Sequence, residues 1–129
     1  MFVDDDVNPD QLSPLVLAYV GDAVYELFIR TKLAAHPGKV HDLHRVAVEY
    51  VRAGSQAEII HDWEPILSDS EKEVVRRGRN AKSGTPRRAD VVDYRYSTGF
   101  EALLGHLYLS GQQERLLELL ERIRPTTDI

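Results

Sequence analysis

Residues 15–29, LVLAYVGDAVYELFI, form an almost wholly apolar stretch that nevertheless contains two acids, Asp22 and Glu26. Only Gly21 weakens its helical character, and apolar side chains would lie on nearly every face of the helix. This stretch therefore predicts a central helix that other helices surround. A carboxylate buried within it is costly unless it is paired with a cation or binds a metal. We expect Asp22 to be buried and to serve one of these purposes.

The remaining chain has helical periodicity and no strand pattern, which predicts an all-α fold of six or seven helices. Capping residues mark the helix starts at Ser13 with Pro14, at residues 68–71, and at Ser97 with Thr98. The predicted helices cover about residues 14–35, 40–63 with a bend at Gly54 and Ser55, 71–79, 97–109 and 112–124, and residues 80–93 are predicted to be a loop.

The chain has 129 residues, a length typical of one domain, and its 43% hydrophobic residues are those of an ordinary globular protein. We expect residues 1–11 to be a flexible acidic lead-in, residues 12–124 to form the folded domain, and residues 125–129 to be a tail. The absence of cysteine excludes disulfides and thiolate metal sites. No signal-peptide pattern and no membrane-spanning apolar run is present, which predicts a cytoplasmic protein with no membrane partner.

A third acid, Glu101, resembles Asp22 in its setting, because the segments GFEALLG and VGDAV are both apolar and contain glycine. Gly21, Gly99 and Gly105 would allow two helix backbones to cross closely, which would bring the two carboxylates to one point. A single Mg²⁺ commonly takes one or two carboxylates, retains several waters and uses substrate phosphate for its other ligands. The alternative is structural, with each carboxylate paired with an arginine or capping a helix.

A basic segment, residues 76–88, has the sequence RRGRNAKSGTPRR and contains no acid, although the chain as a whole carries a net charge of −5. Such a patch on an acidic body is typical of a protein that binds a phosphate backbone. The alternative is a solvated loop that pairs with the acidic body. The residues predicted to contact nucleic acid are Arg76, Arg77, Arg79, Asn80, Lys82, Ser83, Arg87 and Arg88.

Other catalytic patterns are missing from the sequence. The histidines do not form an HExxH-type zinc motif, no GxSxG nucleophile elbow is present, and RRGRNAKSG is not a Walker nucleotide loop. Tyr94, Arg95 and Tyr96 lie between the basic segment and Glu101, and they are either the edge of the core or contacts for nucleic acid.

Three segments of the chain together resemble the ribonuclease III catalytic domain, in the short Mini-ribonuclease III form that lacks a double-stranded-RNA-binding domain. They are LAYVGDAVYELFIR (17–30), LHR (43–45), and RRGRNAKSGTP with YRYSTGFEALLGHLYL (76–86 and 94–109). The resemblance implies an all-α homodimer that cuts double-stranded RNA with Mg²⁺, or with Mn²⁺ in its place, and leaves 5′-phosphate and 3′-hydroxyl ends. It also implies a precursor of large-subunit (23S) ribosomal RNA as substrate, with a ribosomal protein as a further candidate partner.

By this resemblance, Asp22 and Glu101 match the catalytic, metal-binding acids of the family, whereas Glu26 lies outside the motif and is expected to be structural or to support the site. The full-length enzymes carry a further Glu where this chain has Ala18 and an Asp where it has Thr98. Two strong carboxylates suit a site with one firmly bound Mg²⁺ better than a fully ligated site with two metal ions. The two departures also motivate an alternative, a catalytically weak or inactive RNA-binding or ribosome-assembly module. A third reading is an all-α interaction protein whose basic segment meets an acidic partner.

Overall fold

The computed structural model describes residues 2–81 and 90–123, and every regular element within these ranges is helical. The prediction of an all-α fold with six or seven helices is therefore confirmed for this part of the chain. The α-helices in chain order are α1 (Pro14–Ala34), α2 (Val40–Val51), α3 (Ala53–Trp63), α4 (Asp69–Arg79), α5 (Val91–Leu109) and α6 (Gln113–Leu120), with 3₁₀ turns at Pro9–Gln11 and Glu64–Ile66.

Helix α5 lies at the centre of the fold, and its contact with α1 is the most extensive in the structure. The prediction that α1 is the surrounded central helix was wrong, because α1 packs along one face and leaves Tyr19 and Leu27 exposed. Helices α3, α4 and α6 also pack against α5, so most of its side chains from Ser97 onward are buried. Tyr25 of α1 and Phe100 of α5 are fully buried, and their rings meet edge to face with centroids 4.9 Å apart. The buried Tyr25 hydroxyl has a hydrogen-bond partner, because it donates to the carbonyl oxygen of Tyr50 at 3.2 Å.

The start of α5 differs from the prediction. The Asp90 side chain accepts a hydrogen bond from the Asp93 N–H and caps the helix directly after it. Ser97 and Thr98 lie inside α5, where both hydroxyls donate to the carbonyl oxygen of Tyr94. Their prediction as an N-cap was wrong because serine and threonine also bond back to a carbonyl one turn earlier within a helix.

Two other helix boundaries also shift. The chain breaks between α2 and α3 at Arg52, which is extended with ψ 148°, whereas Gly54 and Ser55 lie inside α3. Helix α6 ends at Leu120, before the predicted end of the last helix. Residues 124–129, which include the predicted tail, lie outside the described ranges.

An ion pair between buried Glu71 and half-buried Arg115 fastens α6 to α4. The Glu71 carboxylate accepts hydrogen bonds from Nε and a terminal nitrogen of Arg115, each at 2.8 Å. Glu71 also completes the capping box at Ser68, and Arg115 donates to the carbonyl oxygen of Ile66 at 2.8 Å. The pair therefore joins three separate pieces of backbone.

None of the helices in the described ranges is both long enough and apolar enough to cross a membrane. Within the predicted lead-in, Asp10 lies in the first 3₁₀ turn, and its carboxylate is 2.8 Å from Nε2 of His106 on α5.

Candidate active site

The crossing of α1 and α5 sets the position of both predicted site acids. A Cβ atom built on Gly21 would lie 1.7 Å from the carbonyl oxygen of Glu101, and one built on Gly105 would lie 1.9 Å from that of Leu17. Only glycine permits these two backbone contacts. The predicted close crossing is confirmed, and it places Asp22 and Glu101 side by side.

Gly99 takes part in a different crossing from the one predicted. A Cβ atom on Gly99 would lie 2.8 Å from the carbonyl oxygen of Val75, and one on Gly78 would lie 2.8 Å from the Cα atom of Gly99. This second glycine contact holds α4 against α5. The basic end of α4 is thereby attached to the helix that carries Glu101.

The two acids differ in burial, and the expectation that Asp22 is buried is wrong. Helix α1 buries the row Leu17, Gly21 and Tyr25, and Asp22 lies on the neighbouring, exposed face. Glu101 is the half-buried partner. Burial raises the pKa of Glu101 from its ordinary value of 4.5 to about 8, and the charge of Asp22 and a hydrogen bond with it act in the same direction.

Two further side chains act on Glu101. The charge of Glu26 also raises the Glu101 pKa, so Glu26 belongs to the surroundings of the site. A hydrogen bond from Gln56 on α3 lowers that pKa, because it favours the ionised carboxylate. Sequence reasoning missed Gln56. The sequence signal for Gln56 was weak: it is a polar residue on the face of α3 that also contains the buried residues Ala57 and Ile60.

The donor set fits a divalent cation held by two carboxylates. Within the described residues, no group of three or more His, Asp or Glu side chains is arranged to hold a metal. Ala18 is buried in a small apolar cluster, and the Thr98 hydroxyl bonds to the Tyr94 carbonyl, so packing occupies both positions where the full-length enzymes carry acids. No basic side chain of the described residues is among the groups that shift the Glu101 pKa. A hard cation with oxygen ligands would supply the missing positive charge.

The predicted nucleic-acid contacts lie partly within the structure. Arg76 is exposed and pairs with Glu73, with 2.8 Å between its Nε and a carboxylate oxygen. Arg79 is half-buried, and its guanidinium lies over the Tyr96 ring, 4.4 Å from the centroid. Arg77 is half-buried on the last turns of α4, and Asn80 is exposed and ends that helix. The remaining predicted contacts, Lys82, Ser83, Arg87 and Arg88, lie outside the described residues.

Comparisons with known proteins agree on one family. The family model of the ribonuclease III domain matches residues 15–112. The chain is similar to the Mini-ribonuclease 3 of Symbiobacterium thermophilum, with 55% identity over 116 residues that cover 88% of this chain and 89% of that protein. It is also similar to the Mini-ribonuclease 3 of a Thermoanaerobacter species, with 56% identity covering 85% and 79% of the two chains. The fold is similar to the X-ray crystal structure of a Fusobacterium nucleatum protein, with a TM-score of 0.81 and 28% identity, covering 87% of this chain and 91% of that one.

Proposed function

This chain belongs to the ribonuclease III family and is an endoribonuclease of the ribonuclease III type, and on this premise we propose that it cuts double-stranded RNA at a Mg²⁺ site made by Asp22 and Glu101. The observation that carries the site is the glycine crossing of α1 and α5, which brings the Asp22 carboxylate close enough to Glu101 to raise the pKa of the Glu101 carboxyl. Neither acid has a basic partner among the described residues, and two acids held together in this way destabilise the fold unless a proton or a cation neutralises them.

Each acid has its own part in this proposal. Asp22 is exposed, so its carboxylate oxygens are accessible to a cation. Glu101 has a pKa raised to about 8 by burial, so it must release a proton before it can bind a cation. Bound Mg²⁺ would polarise the phosphoryl oxygen and lower the pKa of a bound water. Mn²⁺, with the same preference for carboxylate ligands, is expected to substitute for it.

We propose that the basic end of α4 binds the RNA duplex. Arg77, Arg79 and Asn80 lie on or directly after the last turn of α4, which the Gly78–Gly99 contact holds against α5. A-form RNA offers phosphates and 2′-hydroxyls rather than a readable major groove, so guanidinium groups suit its recognition. The binding surface would be extended by the residues that follow in sequence, Lys82, Ser83, Arg87 and Arg88.

We further propose that the enzyme is a homodimer joined through an exposed apolar row of α1 that lies about a quarter turn around the helix from Asp22. Val16, Tyr19 and Leu27 lie in this row, and Tyr19 and Leu27 are 81% and 65% exposed. A monomer rarely exposes such a row of large apolar side chains, and a two-fold dimer would cover it with its own copy. Sedimentation equilibrium tests this, because a dimer has twice the 14.7 kDa mass of the chain. A single species at the monomer mass would contradict it.

The finer proposals concern the natural substrate. By its resemblance to Mini-ribonuclease III, the enzyme is expected to mature a precursor of 23S ribosomal RNA, leaving 5′-phosphate and 3′-hydroxyl ends, with a ribosomal protein as candidate partner. Cleavage of the precursor with and without ribosomal proteins, followed by end mapping, tests these points. A precursor that is cut no better than an unrelated duplex of equal length would contradict the substrate.

The test of the proposed activity is a cleavage assay with duplex RNA. The parent should cut the duplex only when Mg²⁺ or Mn²⁺ is present, and it should leave the separate single strands intact. Asp22→Asn keeps the shape of the side chain and removes its charge, so it should fold normally and lose cleavage. An Asn variant that cuts as fast as the parent would contradict the site. A parent that binds the duplex but never cuts it would favour the RNA-binding module instead.

A further inference from the structure

The side chain of Arg79, at the end of α4, lies along one face of α5. Its aliphatic part passes over Gly99, where a Cβ atom would lie only 3.1 Å from the Arg79 Cγ atom. Its guanidinium lies over the Tyr96 ring, 4.4 Å from the ring centroid. Tyr96 and Gly99 are neighbours on one face of α5, because residues three apart lie one turn from each other on a helix. Arg79 is therefore held at two points along its length.

The Tyr96 ring is itself fixed by packing. It is half-buried and packs against the main hydrophobic core. Its centroid also lies 4.2 Å from that of the His61 ring on α3, and the two rings are tilted by 51°. Three helices, α3, α4 and α5, therefore meet at Tyr96. The ring offers the Arg79 guanidinium one defined place, which an exposed side chain at the end of a helix would not otherwise have.

The contact with Tyr96 leaves the charge of Arg79 available. A ring face attracts a guanidinium without neutralising it, whereas a carboxylate would both neutralise the charge and occupy the N–H donors. Within residues 2–81 and 90–123, no carboxylate pairs with Arg79, although Arg76 is paired with Glu73. Arg79 is thus an oriented cation whose planar set of N–H donors suits a phosphate group.

We infer that Tyr96 is a positioning residue, which holds the Arg79 guanidinium in the place where it binds a phosphate of the RNA duplex. This inference rests on the proposed function, since it assigns a supporting residue to the proposed RNA-binding end of α4. A long side chain that is ordered beforehand avoids the entropy cost of being ordered on binding, which corresponds to about two- to tenfold in affinity. Tyr96 acts through Arg79 and does not need to touch the RNA.

The test measures filter binding of duplex RNA in the Asp22→Asn background at a fixed salt concentration. Tyr96→Leu removes the ring and should weaken binding by about two- to tenfold, whereas Tyr96→Phe keeps the ring and should bind like Asp22→Asn alone. Tyr108→Leu is the matched control, because Tyr108 is another half-buried tyrosine of α5 that packs against the same core. It lies near the other end of α5, so its loss should leave RNA binding unchanged.

Circular dichroism checks that each variant is folded. Leucine retains an apolar contact with the core, and Tyr96→Met replaces Tyr96→Leu if the leucine variant does not fold, because methionine fills irregular gaps in a core.

A double-mutant cycle tests whether Tyr96 acts through Arg79. Adding Tyr96→Leu to Arg79→Ala should cause no further loss of affinity, whereas adding it to Arg77→Ala should multiply the two losses. Full affinity in Tyr96→Leu, an equal loss in Tyr96→Phe or Tyr108→Leu, or losses that multiply with Arg79→Ala would each overturn the inference. An Arg79→Ala variant that binds RNA as tightly as Asp22→Asn alone would instead contradict the proposed part of Arg79 in RNA binding. The two failures are therefore distinguishable.

Discussion

Gly21 and Glu101 meet backbone to backbone, so that a Cβ atom on Gly21 would lie 1.7 Å from the carbonyl oxygen of Glu101. Because the obstacle is a helix backbone rather than a flexible side chain, no rotamer change can relieve it. The same approach that excludes a side chain from Gly21 brings the neighbouring Asp22 to the Glu101 carboxyl. One backbone contact therefore accounts both for the close packing of α1 on α5 and for the position of the candidate active site.

Gly21→Ala should separate α1 from α5 and lower the free energy of unfolding by more than about 3 kcal/mol. Urea denaturation at neutral pH measures this. Gly54→Ala is the matched control, since a Cβ atom there would meet the Asp93 carboxylate at an ordinary 3.5 Å. An alanine within α3 at that position should raise stability by about 0.5–1 kcal/mol. Equal effects of the two substitutions would contradict the crossing.

The Glu101 carboxyl should make the metal-free protein less stable as the pH rises. Its pKa is raised from 4.5 to about 8, so between these values the folded protein holds a proton that the unfolded chain has released. This stabilising contribution is complete below the unfolded pKa and disappears as the pH rises through the folded pKa. Glu101→Gln, which is neutral at every pH, should remove this dependence.

Urea denaturation in the presence of a chelator measures the effect. Near pH 5 the parent and Glu101→Gln should be almost equally stable. Near pH 8 the variant should be more stable by about 1–3 kcal/mol, less than the full linkage value because Glu101 is partly exposed. A parent whose stability is as flat with pH as that of Glu101→Gln would show that burial does not hold the proton on Glu101.

The buried pair between Glu71 and Arg115 should contribute strongly to stability. Glu71 is only 7% exposed, and Arg115→Met would leave its carboxylate without a cationic partner, with only the Ser68 N–H still bonded to it, at a cost of about 3 kcal/mol in the free energy of unfolding. The Arg115 hydrogen bond lowers the Glu71 pKa, so this contribution is present above the ordinary glutamate pKa and is lost as the pH falls through the lowered one. The parent and Arg115→Met should therefore converge in acid.

Glu118→Gln is the control for this pair. Glu118 also bonds to Arg115, at 3.0 Å, but its side chain is largely exposed, so its loss should cost about 0.5 kcal/mol or less. If Glu118→Gln proves as destabilising as Arg115→Met, the buried Glu71 contact is not the important one.

Replacing arginines at the end of α4 should weaken RNA binding while changing the free energy of unfolding only slightly. Arg77→Ala and Arg79→Ala should each weaken binding of duplex RNA and reduce the salt dependence by about one phosphate contact. Arg79→Ala should also lower stability by about 0.5–1 kcal/mol, because it loses the contact with the Tyr96 ring. Filter binding in the Asp22→Asn background avoids cleavage during the measurement. Arg52→Ala removes an exposed arginine that pairs with Glu49 away from the basic end of α4, and it should leave RNA binding unchanged.

Much of the fold could be predicted because it depends on local chemistry. Ser13 and Ser68 begin α1 and α4 as their side chains predict, and the apolar periodicity identifies the helices. The start of α5 could not be read in the same way, because Ser97 and Thr98 have the composition of a cap and the burial of a helix interior. Which role such residues take depends on the neighbours that cover them.

The site could be predicted as a pair of acids near glycines, but not as an arrangement in space. Sequence cannot tell that Gly99 meets α4 rather than α1, or that Asp22 faces solvent while Glu101 is half-buried. No sequence motif marks Gln56, because its bond to the Val51 carbonyl at the end of α2 depends on the break at Arg52 between α2 and α3. These features arise from tertiary contacts between residues that are distant in sequence.

The central claim is that Asp22 and Glu101 act as one cation site, and single-turnover cleavage of duplex RNA tests it most directly. The parent, Asp22→Asn, Glu101→Gln and the double variant are compared at saturating Mg²⁺ and enzyme. If the two acids act as a unit, each single variant should lose at least about a thousandfold in rate, and the double variant should be no slower than the slower single one. Parent-like cleavage by either single variant, or losses that multiply in the double variant, would contradict the shared site.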